Sequence, residues 1–134
     1  MSPIDPESKP PVLLAVFELG GYPNFTPLYE EEGFAVTQVT SARKAISTMK
    51  KLRPAVVVAE FNYQSDFRDR TSSLESLLAA AQHHAGTRVI AFYEEETLPQ
   101  LQRLQRHTPL FATLSYPIDE AALRDALRRA RSGD

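Results

Sequence analysis

Pro54–Glu60, Pro-Ala-Val-Val-Val-Ala-Glu, leaves a chain of this kind few options. The run is apolar without alternation, rich in β-branched residues, and ends on a carboxylate. That pattern predicts a strand buried on both faces, as at the centre of a parallel sheet. Parallel neighbours are joined by crossovers, most often helices, so the flanking segments must supply both helices and strands. Val12–Phe17 and Arg88–Tyr93 give two more apolar strands, and Pro109–Ser115 a further one. Phe34–Thr40 alternates between apolar and polar positions, as a more peripheral strand does.

Between these runs the apolar period changes to that of a helix. Tyr22–Glu32 carries Phe25, Leu28 and Tyr29 on one face, with Thr26-Pro27 as a start and Gly33 as a stop. Its acidic end, Glu30–Glu32, sits at the less favourable pole of the helix dipole and reads as a solvated face. Ser41 is the expected cap of a second helix, with Ala42, Ala45, Ile46, Met49 and Leu52 inward and Pro54 closing it. Lys50, Lys51 and Arg53 fall in its last turn, where cations suit the dipole. Phe61–Ser73 is the least regular segment, and Leu74, Leu77, Leu78 and Ala81 mark a third helix ending near Gly86. Thr97 is the expected cap of a fourth, with Leu98, Leu101 and Leu104 inward. Asp119 is the expected cap of the last, whose apolar face is Ala122, Leu123, Ala126, Leu127 and Ala130. Its arginines, Arg124, Arg128, Arg129 and Arg131, point elsewhere and read as solvated.

Five strands alternating with five helices predict an α/β, flavodoxin-like, doubly wound five-stranded parallel sheet of order 2-1-3-4-5. Residues 1–11 form an expected disordered lead-in, 12–131 one domain, and 132–134 a short tail. A net charge of −2 gives no basic footprint for nucleic acid. No apolar run approaches the ~20 residues of a membrane span. The absence of cysteine removes disulfides and thiolate ligands and agrees with a cytoplasmic location.

In element order and size, from about Val12 to Arg131, the chain resembles the receiver domains of two-component response regulators, the CheY-like family. That resemblance implies a phosphoacceptor aspartate at the end of the third strand; Glu60 stands there. It implies an acidic, magnesium-binding pair after the first strand; here the pair is Phe17-Glu18. The small hydroxylated residue ending the fourth strand is replaced by Tyr93. The Lys-Pro after the fifth strand is Tyr116-Pro117, and the aromatic switch position holds Thr113. The sequence therefore looks like a degenerate receiver, a pseudo-receiver.

Phosphoryl transfer to a carboxylate needs cations to offset charge on the phosphoryl oxygens. With the lysine replaced and Glu18, Glu60 and Glu94 near the strand ends, the chain is expected to bind no resident cofactor and to be no enzyme. For Glu60 three states stay open: a solvated or ion-paired carboxylate facing Arg68 or Arg70, a fixed mimic of the phosphorylated state, and residual magnesium binding with Glu18. His83-His84 lacks the i, i+4 spacing of helix-borne metal ligands, and His107 is a lone residue at a helix end.

The expected function is phosphorylation-independent signalling through contact with another signalling protein. The resemblance nominates the surface of the fourth helix, fifth strand and fifth helix for a partner or a homodimer, through Gln100, Arg103, Gln105, Tyr116, Arg124 and Arg128. With no output domain in the chain, the effect is expected to pass through a separate protein. Two alternatives stand beside it: an atypical phosphoacceptor using Glu60 or Asp66, and a small-ligand-binding flavodoxin-like domain.

Overall fold

The computed structural model describes residues 10–17, 24–61, 73–84 and 86–132. Five strands, β1 (Val12–Val16), β2 (Ala35–Val39), β3 (Val56–Glu60), β4 (Arg88–Tyr93) and β5 (Ala112–Ser115), alternate with five helices. These are α1 (Thr26–Glu31), α2 (Ala42–Leu52), α3 (Ser73–Ala81), α4 (Leu98–His107) and α5 (Glu120–Ser132). The strands form one parallel sheet of order β2-β1-β3-β4-β5, the expected doubly wound arrangement.

Every residue of β3 is buried, and alternate side chains enter different cores. Val57 and Ala59 pack with Ala45 and Met49 of α2, Leu77 and Leu78 of α3, and Leu101 of α4. Val56 and Val58 pack with Leu28 and Tyr29 of α1 and Leu123, Ala126 and Leu127 of α5. Each buried valine stabilises the fold by roughly 1.5–3 kcal/mol on transfer arguments. The edge strands β2 and β5 hold no fully buried residue, in keeping with the alternation of Phe34–Thr40.

Most helix ends follow their local signals. The Ser41 hydroxyl accepts from the Lys44 N–H at 3.1 Å, and an Asp119 carboxylate oxygen accepts from the Ala121 N–H at 3.1 Å. Gly33 takes a positive φ of 94° just past α1. Thr97 differs from expectation. A single 3-10 turn, Glu95–Thr97, precedes α4, and the Thr97 hydroxyl donates back to the Glu94 carbonyl at 2.7 Å instead of capping α4. The first helix is also shorter than Tyr22–Glu32: it begins at Thr26, whose N–H donates to the Asn24 side chain at 3.0 Å. The fifth strand starts three residues later than Pro109, at Ala112, after the Phe111 N–H pairs with the Val89 carbonyl.

Candidate functional site at the carboxyl end of the sheet

The strand ends gather most of the marker positions along one edge. Past β1, the Phe17 N–H donates to the Val39 carbonyl at 3.0 Å. Glu60 closes β3 opposite Phe92, and the next N–H, of Phe61, donates to the Phe92 carbonyl at 2.7 Å. Tyr93 closes β4 opposite Ser115, and the Tyr116 N–H donates to the Tyr93 carbonyl at 2.9 Å. The Tyr116–Pro117 peptide is cis. Thr113 lies deeper in β5, level with Ala91. Phe17, Glu60, Tyr93 and Tyr116 thus share the carboxyl edge, where ligand sites of open α/β sheets lie. Glu18, Asp66, Arg68 and Arg70 lie outside the described residues.

Glu60 is only 4% exposed, which argues against the solvated form of the expected solvated or ion-paired carboxylate; the arginines of the ion-paired form lie outside the described residues. By alternation it projects from β3 on the face of Val56 and Val58, toward the core shared with α1 and α5. Aromatic rings occupy that end of the core. Phe92 meets Phe25 and Tyr116 edge-on, each with ring centroids 5.9 Å apart, and Phe25 meets Tyr29 at 6.4 Å. Such edge-to-face pairs add about 0.5–1.5 kcal/mol each beyond their buried area. Burial without a hydrogen bond among the described residues pushes the Tyr29 phenol well above its ordinary value. Sequence reading missed this aromatic set because its members come from three separate elements.

Metal binding of the receiver type needs oxygen ligands. Phe17 supplies none, and its partly buried ring packs against the α1–α5 core. Glu94 is exposed on the turn before α4, whereas Glu60 is buried. Among the described residues no three His, Asp or Glu side chains are grouped to hold a metal ion. The described residues do not fit a receiver-type magnesium site. His83 and His84 follow α3 in a turn at the opposite end of the sheet, bonded through their N–H groups to the Ala80 and Ala81 carbonyls.

The nominated partner residues divide into two groups. On α4, Arg103 is exposed while Gln100 and Gln105 are half-buried. On α5, Arg124 and Arg128 are engaged within the chain. Arg124 donates to Glu31 at 2.7 Å and to Glu32 at 2.9 Å, and Arg128 donates to Glu32 at 2.8 and 3.2 Å. Arg131 adds a bond to the Glu32 carbonyl at 2.6 Å, capping the end of α1. The Glu32 side chain is only 8% exposed and so departs from the solvated face expected from sequence, whereas Glu30 and Glu31 are exposed as expected. Hydrogen bonds from Arg128 and then Arg124 hold the Glu32 carboxyl below its usual range.

No protein-family model matches the sequence, and no curated protein matches it. Solved structures match well. A response regulator receiver domain protein from Clostridium thermocellum superposes with TM-score 0.70 at 15% identity, over 92% of this chain and 95% of that one. The fold is that of a receiver domain. A sensor protein from Polaromonas sp. JS666 gives TM-score 0.69 at 20% identity, covering 92% and 97% of the two chains. The Vibrio cholerae chemotaxis protein CheY4 gives 0.65 at 17% identity, covering 90% and 98%. Receiver-like architecture is therefore shared along nearly the whole length of these domains.

Proposed function

We propose that the chain is a receiver-like signalling module that works by binding another protein and does not depend on phosphorylation of Glu60. The burial of Glu60, at 4% exposure, carries this reading. A phosphoacceptor must be reached by its donor, and its new charge must be met by cations. Tyr116 replaces the lysine that the receiver resemblance implies, Phe17 replaces a metal-binding acid, and aromatic rings crowd the same end of the core. A carboxyl group held there supplies hydrogen-bonding groups to one conformation, and biases partner binding only through its differential interaction with each state.

The partner face that best fits this reading combines α4 with β5. All four residues of β5 are half-buried, and as an edge strand it presents backbone groups that are not paired within the sheet. Arg103 is an exposed cation on α4. The reading is tested by intact mass after exposure to a small acyl phosphate with magnesium, alongside a competent receiver. We expect no adduct on this chain; a stoichiometric phosphoryl adduct lost in Glu60→Gln would overturn the reading. Charge reversal at Arg103 is expected to weaken capture of a partner identified with the wild-type chain.

A further inference from the structure

We propose that the exposed face of α2, with the groove at its C-terminal end, is a docking surface for an acidic protein segment that carries an apolar side chain. Between Ser41 and Ala59 the chain contains five cations and no acid. Arg43 and Lys50, and likewise Lys44 and Lys51, are seven residues apart, so they recur on one side of the helix about 10 Å apart. These four and Arg53, the C-cap, are all exposed. The ion pairs found among the described residues all belong to α5 arginines, and none reaches α2. Local helix physics accounts for Lys50 and Lys51 in the last turn but not for Arg43 and Lys44 in the first, where the dipole disfavours cations.

Beside this charge lies an apolar anchor point. Leu52, 42% exposed, is the one large exposed hydrophobic side chain among the described residues. It borders an open groove of about 630 Å³ whose other walls include Pro10, Pro11, Arg53, His83 and His84. A cationic row leading to an apolar groove is complementary to acidic residues flanking an apolar one. A phosphate backbone would use the charge and leave the groove empty. A bilayer would need an exposed apolar helix face, and that of α2 is already committed to the sheet through Ala45 and Met49. The surface is separate from the α4–β5 face, so its fate does not depend on that assignment.

The test is a titration of the full, isotope-labelled chain with a synthetic probe peptide, a single leucine flanked by glutamates. We expect amide shifts to cluster at residues 43–53 and 82–87. Affinity should fall about tenfold in Lys50→Glu/Lys51→Glu, as for removal of charge complementarity. A few-fold loss in Leu52→Ser should persist at high salt, where the charge contribution is screened. Lys44→Glu/Lys51→Glu serves as a second variant should the first not retain the wild-type amide spectrum away from α2. Shifts elsewhere, unchanged affinity in these variants, or equal binding by a glutamate peptide lacking leucine would overturn the proposal. So would tighter binding at the same residues by phosphatidylserine vesicles, duplex DNA or a second copy of the chain.

Discussion

Helices α5 and α2 both present rows of cations, and the sequence gives the two rows the same appearance. Their physical situations are opposite. On α5, Arg124, Arg128 and Arg131 converge on the end of α1, where Glu32 accepts from two guanidinium groups and its carbonyl from a third. On α2, no described carboxylate lies within ion-pair distance of Arg43, Lys44, Lys50 or Lys51. One row fastens two helices that are adjacent in space and about ninety residues apart in sequence. The other faces outward, available to a partner. The lesson is that cationic spacing on a helix says which side the charges share, and only the neighbouring element says whether they are already used.

The comparison has a common base, because both helices bury an apolar face, and the largest expected effect lies there. Leu127→Ala in α5 removes a fully buried side chain and should cost about 2–5 kcal/mol by urea denaturation. Met49→Ala in α2 should cost about as much, since Met49 is also fully buried. A large inequality would show that one helix packs less tightly than its burial indicates.

The next effect separates the two rows. Glu32→Gln should lower the melting temperature by roughly 2–6 °C, because charge-assisted bonds to two arginines become neutral ones. Its pH dependence has a defined sign. The folded-state value of Glu32 is depressed, so the carboxylate's contribution is present above the ordinary range near ~4.3 and is lost as pH falls through the folded value. Wild type and Glu32→Gln should therefore converge in stability under acid conditions; a constant difference between them would exclude ionised Glu32 as the source.

Gly33→Ala tests the same junction through the backbone. It places a side chain at a φ of 94° and against the Arg131 guanidinium, so a loss of about 1 kcal/mol or more is expected in denaturant titrations. The smallest effect belongs to α2. Arg43→Gln/Lys44→Gln should change stability by less than about 0.5 kcal/mol per site, since these exposed first-turn side chains have no ion-pair partner among the described residues and no favourable dipole interaction to lose. A substantial loss would mean that the α2 row is structural after all, and would remove the contrast with α5.

Much of the fold was legible because the determining signals are local. The run Val56–Ala59 had to be buried on both faces, and the structure divides it between two cores. Ser41 and Asp119 cap the helices that follow them because a short polar side chain next to free N–H groups needs no distant partner. Thr97 shows the limit of that logic: its hydroxyl had a nearer carbonyl, that of Glu94, within a 3-10 turn.

The sequence by itself determined the order of strands and helices, the central place of β3, and the position of Glu60 at a strand end, because periodicity and β-branching act on neighbours in the chain. Tertiary structure alone decided that Glu60 is buried, that Phe25, Phe92 and Tyr116 meet beside its strand, and that Glu32 is enclosed by α5 arginines. Each of those facts joins residues from separate elements. Burial and pairing depend on what the fold brings alongside a side chain, and no local pattern carries that information.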